Sequence, residues 1–495
     1  MRSALLAALA AIGIPVATGA ATGCSLVAGY ESLHLAPDAA DSPNVGDAGV
    51  LPALDPSSAI VYSAYPTIFS PMGDLAGVTA QLERIHELGF NVLSLMPVTP
   101  IGQATGGHPS YQSPYCVHDY YAINASYGSP LDLGTLVGQA HALGIYVILD
   151  EELNHTAWDN PLIEQHPEFY LHSDGNPENV ASIEQAFTFA DVAQLDYDTT
   201  PSGLQAYMTT MLEYWLTTYG VDGFRFLTAE APPPPGTPTI PASFWQQLHA
   251  SLVTVKSDVV MWADEEDPAL GGDPFELDYG WTLRGGEANA SGGAGLLQVT
   301  NGAPASELQQ AWQAQTTGFS GVHHVALLQN WDIGPDLQVY GGLAGTMAAA
   351  TFDFTIDGVP MLWNGEEVGS ESNAPDTQAP IDWSGPDAAT LTSFYSSLVG
   401  LRRSHTTLQG GTLAWVSNSA ASQVASFTRS DAGGTFLVAI NFSSSAATGT
   451  FTLGGAASGW SDVSPVGSPG GMSHALPPAF SLAPYDFAVF SASAN

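Results

Sequence analysis

Carboxylates, one arginine and one histidine follow or interrupt short apolar segments of this sequence at four separate places. In chain order they are Asp150 with Asn154 and His155, then Arg225, the acidic run 264–267, and Asn330, Trp331 and Asp332. Paired carboxylates can cleave a glycosidic bond, because one protonates the leaving oxygen and the other stabilises or attacks the developing cation. A single carboxylate at a strand end is often only a helix cap. Four such places in one chain favour a sugar-cleaving site.

The segment 221–229 is the most informative of the four, because it places Arg225 inside an apolar strand. The chain has only eight Lys and Arg among 495 residues. A buried guanidinium needs carboxylate partners, so we expect at least one carboxylate beside Arg225. A structural ion pair in the core would meet the same requirement, and the segment alone leaves both interpretations open.

The net charge of −40 comes from a shortage of basic residues, since Asp and Glu together number 48. This sign argues against nucleic acid and anionic membrane surfaces as partners. A neutral polar ligand such as a sugar is compatible with it. Hydrophobic residues make up 45% of the chain, which is enough to bury large cores.

The first 24 residues are typical of an export signal, with Arg2 followed by an apolar stretch and small residues. The end of this stretch resembles a lipoprotein cleavage site, with Cys24 as the lipidated residue; a plain secretory signal is the alternative. We therefore expect an exported protein, either anchored in the cell envelope by lipid or secreted. Cys116 is the only other cysteine, so no disulfide framework is predicted.

Alternating strand and helix patterns predict the domain organisation. Residues 25–57 are rich in Ala, Asp, Pro and Ser and predict a flexible linker. Residues 58–408 predict a parallel (β/α)₈ TIM barrel with a long loop or subdomain at 151–200, and residues 409–495 predict an antiparallel all-β domain. The eight predicted barrel strands are 60–65, 91–97, 145–150, 221–227, 259–264, 275–281, 324–330 and 359–363.

Several ordered motifs resemble the α-amylase family, glycoside hydrolase family 13. The matching segments, over roughly 60–490, are 147–150 with 153–156, Gly223-Phe224-Arg225, 262–265, 329–332, 113–115 with 119–128, and 364–369. The resemblance implies an α-glucan or maltooligosaccharide as the ligand. It also implies a barrel with the active site at the carboxyl ends of its strands.

The resemblance also implies a role for each matching residue. Arg225 would hold the nucleophilic carboxylate, and Asp332 would stabilise the transition state. Asp150 and His155 would contact the reacting sugar, and Tyr115 would stack on it. Asn330 and Trp331 complete the implied substrate-binding set. Calcium binding stays open, because many members use a His shortly after the fourth strand and none is present at 229–235.

Three positions depart from the family pattern. Leu227 stands where the family has its nucleophile, and a leucine cannot attack or carry charge. The acid position falls on Asp264, where the family has Glu, although a shift of one residue would place Glu265 there. Trp331 replaces a histidine. Glu230, Glu151 and Glu152 are the carboxylates that could substitute for the missing one.

Three functions remain open from these residues. The chain could be an α-glucan hydrolase with altered residues, a non-catalytic relative that binds an oligosaccharide, or an envelope scaffold that binds no sugar. Loss of the nucleophile at Leu227, together with retention of Asp150, His155, Arg225 and Asp332, makes ordinary retaining hydrolysis doubtful and favours oligosaccharide binding.

Overall fold

A computed structural model defines the fold of most of the chain. It describes residues 51–197, 203–227, 240–268, 270, 274–286, 294–333, 336–370, 379–453, 459–471 and 473–493. The predicted export signal with Cys24, most of the predicted linker, and Glu230 lie outside the described residues.

Eight parallel strands close into one barrel, and each pairs with its neighbours in chain order. The first four strands are Val61–Ala64, Val92–Leu95, Tyr146–Glu152 and Gly223–Leu227, and the last four are Val260–Ala263, Leu277–Tyr279, His323–Leu327 and Val359–Trp363. Every predicted barrel strand is present, so the predicted (β/α)₈ barrel is confirmed. The third strand runs two residues further than expected, to Glu152.

The strands form because nearly all of their residues can be buried on both faces. Inward side chains such as Ile148, Trp262 and Leu277 fill the barrel. On the fourth strand Phe226 faces outward, with its ring centroid 5.0 Å from that of Trp245 on the surrounding helix. Since successive side chains of a strand alternate between faces, Arg225 points into the barrel.

Helices lie between the barrel strands, as the alternating strand and helix patterns predict, and several short helices accompany them. The helices are Pro66–Phe69, Leu75–Thr79, Leu82–Leu88, Pro130–Ala142, Leu162–Gln165, Gly203–Tyr219, Ala242–Val255, Trp281–Arg284, Leu296–Thr300, Glu307–Thr316, Asp336–Val339, Leu343–Thr355, Ala388–Arg403 and Thr406–Gly410. Single 3₁₀ turns lie at Pro56–Ser58, Pro167–Phe169, Val180–Ser182 and Glu366–Val368. Among the described residues, no helix combines the length and apolar character that a membrane span requires.

The long segment after the third strand has structure of its own. The strands His155–Ala157 and Val192–Gln194 pair antiparallel and form a small ribbon. Cys116 packs against this ribbon, and its Sγ lies 3.3 Å from the carbonyl oxygen of Asp191. Cys116 is a free thiol. The ribbon and its short helices are the subdomain that the sequence predicts at this place.

The C-terminal residues form two antiparallel sheets in the same compact unit as the barrel. The larger sheet contains Thr412–Trp415, Val424–Asp431, Gly434–Asn441, Phe487–Ser493 and Ser461–Asp462, and the smaller contains Ala447–Thr450 and Ala479–Leu482. Arg429 of this sheet is fully buried and donates to the carbonyl oxygen of Ile356 at 2.6 Å, which joins the sheet to the loop before the eighth barrel strand.

Gly223 allows the fourth and fifth barrel strands to approach closely below Arg225. A Cβ at this position would lie 2.2 Å from the carbonyl oxygen of Val260. We predict that Gly223→Ala lowers the free energy of unfolding by roughly 1–3 kcal/mol, because the two strands must move apart. Urea unfolding of the purified variant measures this.

Gly400 provides the matched control, because it lies inside the helix Ala388–Arg403 and an added Cβ would meet no atom within 4 Å. Gly400→Ala should raise the free energy of unfolding by about 0.5–1 kcal/mol. Equal effects of the two substitutions would contradict the close approach at Gly223.

Candidate active site

The Arg225 guanidinium lies between two carboxylates at the mouth of the barrel. Its Nη1 donates to Asp150 Oδ2 at 2.5 Å, and its Nη2 donates to Asp264 Oδ1. All three side chains are buried. The expected carboxylate beside Arg225 is therefore present twice, once from each neighbouring strand.

Strand register brings these three residues together although they are far apart in sequence. Asp150 pairs directly with Arg225 across the third and fourth strands. Asp264 follows the fifth strand, and its backbone N–H donates to the carbonyl oxygen of Phe226 at 3.0 Å. Because parallel strands of a barrel end at the same rim, residues from three strands meet at one guanidinium.

Two tyrosines complete the surroundings of the guanidinium. Tyr115 donates its hydroxyl to Asp150 Oδ2 at 2.8 Å and lies 3.2 Å from Arg225 Nη1. The Arg225 guanidinium lies 5.0 Å from the ring centroid of Tyr279, a cation–π contact. Tyr115 is only 5% exposed. Its hydroxyl stabilises Asp150 through the hydrogen bond.

Asp332 is exposed in the loop after the seventh strand. Its charge contributes to the raised pKa of both Tyr115 and Tyr279, after the larger effect of burial. Its backbone N–H donates to Asn330 Oδ1 at 2.9 Å, which shapes the turn. Asp332 therefore lies near the two tyrosines that contact Arg225.

Trp331 packs against Tyr65, the residue that follows the first barrel strand. Its ring meets that of Tyr65 edge to face, with centroids 5.0 Å apart. Trp331 is 6% exposed. It therefore links the loop after the seventh strand to the residue that follows the first strand.

Leu227 lies at the end of the fourth strand, level with Glu152 of the third. Glu152 accepts a hydrogen bond from the backbone N–H of Asn154, and its Oε2 lies 3.8 Å from His155 Nδ1. Glu152 therefore holds the turn that carries His155. The Glu151 carboxyl is fully buried, and burial followed by the charge of Asp150 raises its pKa well above the ordinary value.

The two candidates for the acid occupy different surroundings. Asp264 contacts Arg225, and its backbone carbonyl accepts from Trp281 Nε1 at 2.8 Å. Glu265, the next residue, is half-buried beyond the strand end. Burial raises the pKa of Asp264, and the Arg225 charge opposes that rise.

Burial also shifts the two other ionisable groups of the site. It raises the pKa of Asp150 to about 6, and the Arg225 charge and hydrogen bonds from Arg225 and Tyr115 oppose it. It lowers the pKa of His155 to about 4. At neutral pH the site thus contains a neutral imidazole and a carboxylate whose ionisation is costly.

Sequence reasoning missed Tyr279 and a cavity beside the cleft. Tyr279 occupies an inward position of the sixth strand, and alternation within that predicted strand could have identified it. The cavity, about 640 Å³, is lined by neutral residues including Tyr65, Gln112 and Asn124. They come from loops after different strands, so the sequence gives no pattern for them.

The described residues offer no group of three or more His, Cys, Asp or Glu side chains placed to hold a metal ion. The segment 228–239, where the resemblance implies a calcium ligand, lies outside them. The residues present in the described part of the chain therefore define no calcium site.

Comparison with known proteins gives the same family. The model of the α-amylase catalytic domain matches residues 40–243. A cyclomaltodextrinase from a Bacillus species is 26% identical over 390 residues, which cover 74% of this chain and 65% of that protein. A cyclomaltodextrinase from Geobacillus thermopakistaniensis is 25% identical over 426 residues, covering 80% and 67%. This chain thus spans about two thirds of the length of these relatives.

A solved structure agrees with the fold. The maltogenic α-amylase from Thermotoga neapolitana superposes with a TM-score of 0.72 at 22% identity, covering 89% of this chain and 99% of that one. The barrel, its C-terminal β-sheets and the carboxylates around Arg225 agree with this fold. The matched family model and the named relatives support assignment of the chain to the α-amylase family of glycoside hydrolases.

His155 should make stability depend on pH in a defined window. Its folded pKa of about 4 lies below the ordinary value of 6.5, so the unfolded chain binds the proton first as the pH falls. Stability is therefore lost as the pH falls from 6.5 to 4. At about 1.4 kcal/mol per pKa unit, we expect the free energy of unfolding of the native chain to fall by roughly 3 kcal/mol over this window. The His155→Gln variant should not show this decrease.

Chemical unfolding of both proteins at several pH values from 4 to 7.5 measures this difference. The shifted pKa of Asp150 is common to both proteins and largely cancels in the comparison. Parallel curves of stability against pH would contradict a buried, neutral His155.

Proposed function

We propose that this protein binds α-glucan oligosaccharides in the cleft around Arg225 and does not perform ordinary retaining hydrolysis. The ligand class is supported by the relatives, which are named as cyclomaltodextrinases. The loss of hydrolysis is supported by the residues of the cleft itself.

The observation that carries the proposal is Leu227 at the end of the strand that bears Arg225. Retaining hydrolysis requires a carboxylate that attacks the sugar and forms a covalent intermediate. A hydrocarbon side chain at this place forms no such bond. Glu152, on the neighbouring strand at the same level, accepts a hydrogen bond from the backbone N–H of Asn154.

The second support is the ion pair between Arg225 and Asp264. A general acid must carry a proton and deliver it to the leaving oxygen. Burial raises the pKa of Asp264, but the contact with Arg225 opposes that rise and directs the carboxylate toward the guanidinium. The same side chain is also one methylene shorter than the glutamate of the family pattern. The acid function is therefore weakened together with the nucleophile.

Binding is supported by polar atoms of the cleft that have no partner within the described part of the chain. Asp150 Oδ1 and Arg225 Nε are buried there without a hydrogen bond. Buried polar atoms are nearly always satisfied by protein, water or ligand. Sugar hydroxyls both donate and accept, so one ligand could satisfy the two atoms.

A relocated hydrolysis is the second candidate, and the pKa of Asp150 favours it. With a pKa of about 6, Asp150 is partly protonated in weakly acidic solution and could act as an acid. Asp332 would then be the opposing carboxylate. This reaction would be slow, because the ion pair with Arg225 holds Asp150 in one orientation.

The test combines turnover and binding. We predict no hydrolysis of starch, maltooligosaccharides or an aryl α-glucoside by the native chain, measured as released reducing ends or aryl alcohol. Leu227→Asp combined with Asp264→Glu should raise the rate of hydrolysis by roughly 10²-fold or more. The double variant restores a carboxylate at position 227 and the longer acidic side chain at position 264. Calorimetry should show that the native chain binds maltooligosaccharides.

Leu227→Asn with Asp264→Glu is the matched control, because Asn has the shape of Asp without its charge and should stay inactive. Robust turnover by the native chain that is abolished by Asp264→Ala or Glu265→Ala would contradict the proposal. Absence of binding at millimolar ligand would leave the scaffold function.

We further propose that the protein is exported and carries lipid on Cys24, with simple secretion as the alternative. The apolar stretch after Arg2 and the small residues before Cys24 support this. We expect mass spectrometry of the mature protein to find an N-terminal Cys24 with added acyl mass. A mature N-terminus without acyl mass would support secretion, and an intact Met1 would contradict export.

A further inference from the structure

A second cavity lies between the barrel and the C-terminal sheet. Its volume is about 420 Å³, and it is lined by residues 299–303, Gly341, 422–423, 442–444 and Tyr485. None of these residues carries charge, in a chain that contains 48 Asp and Glu. None belongs to the cleft around Arg225. A cavity of this composition suits a neutral, hydroxyl-rich ligand.

Two amides of this cavity have their orientation fixed by their own donors. Asn301 Nδ2 donates to the carbonyl oxygens of Leu297 at 2.8 Å and Val339 at 2.9 Å. Gln423 Nε2 donates to Ser443 Oγ at 2.9 Å. Within the described residues, the side-chain oxygens of Asn301 and Gln423 accept no hydrogen bond. They are therefore available as acceptors for hydroxyl groups.

Tyr485 contributes an aromatic ring on a strained backbone. Its φ of 54° lies in the left-handed region, which is costly for a residue that has a Cβ. Such strain persists only where the surroundings enforce it, and it concentrates at functional sites. Gln112, with φ of 60°, lines the cavity beside the cleft in the same way.

The turn that carries Tyr485 is enforced by the buried carboxylate of Asp486. Its oxygens accept from the backbone N–H groups of Gly470, Ala483 and Phe487, each at 3.0 Å. The N–H of Tyr485 donates to the carbonyl oxygen of Ser443 at 3.1 Å. A Cβ at Gly341 would lie 3.7 Å from the Tyr485 hydroxyl, so the absence of a side chain there keeps that hydroxyl uncovered.

We propose that this cavity is a second carbohydrate-binding site, with the Tyr485 ring packed on a sugar face and Asn301 and Gln423 accepting from its hydroxyls. Aromatic rings pair well with an apolar sugar face, and fixed polar groups give orientation. The choice of an α-glucan as ligand rests on the proposed function. The position of the site rests only on the cavity and its residues.

Calorimetric titration with maltoheptaose tests the site. The native chain should bind at two sites, and Tyr485→Gly should weaken one of them at least tenfold. This substitution removes the ring while glycine tolerates the φ of 54°, so the fold should be kept. Asn301→Ala, which leaves the backbone turn at Tyr485 unchanged, should weaken binding at the same site. Leu476→Ala, at a 52% exposed position of the same domain, should bind like the native chain.

Asp332→Ala, in the cleft, separates this proposal from the proposed function. If Asp332→Ala abolishes all binding and Tyr485→Gly changes nothing, the second site is wrong and the cleft function stands. If Tyr485→Gly abolishes all binding and Asp332→Ala changes nothing, the second site stands and the cleft function is wrong. If the native chain binds no maltoheptaose, both proposals are overturned.

Discussion

The charge on Arg225 is the constraint on which the rest of the site depends. Burial alone would lower the pKa of this guanidinium, but Asp150 and Asp264 more than compensate and keep it charged. Removing one partner of a buried pair typically costs 3–5 kcal/mol. The ends of the third, fourth and fifth strands are therefore held together by one cation.

That constraint explains why Leu227 is tolerated. A barrel that lost a carboxylate beside a buried guanidinium would normally be left with an uncompensated charge. Here Asp264 contacts the guanidinium from the fifth strand, and Asp150 contacts it from the third. The charge is satisfied without residue 227, so a hydrocarbon there leaves no unpaired ion. The contacts that hold the strand ends together also engage Asp264, one of the two candidates for the acid.

Most of the barrel could be predicted from the sequence, because each strand is a short apolar run and each helix has a periodic apolar face. Within the predicted all-β domain, the sequence pattern does not delimit the strands Thr412–Trp415, Ser461–Asp462 and Ala479–Leu482, since they are short and half exposed. In the site, residue types at strand ends identified Arg225 and its surroundings. The contact between Arg225 and Tyr279 depends on register between strands more than 50 residues apart, and the loop cavities depend on packing.

Half of the few basic residues lie inside the fold, which also bears on the ligand. Arg225, Arg284, Arg402 and Arg429 are buried, and they account for half of the eight Lys and Arg. Arg284 and Arg402 donate to backbone carbonyls, as Arg429 does where the barrel meets the C-terminal sheet. Few cations remain for the surface, so its potential is negative and anionic ligands are repelled. The two cavities that lie beside the cleft and beside Tyr485 are lined by uncharged residues, so a neutral ligand in either would desolvate no charged side chain. The small number of basic residues, half of which are buried in the fold, thus disfavours anionic ligands.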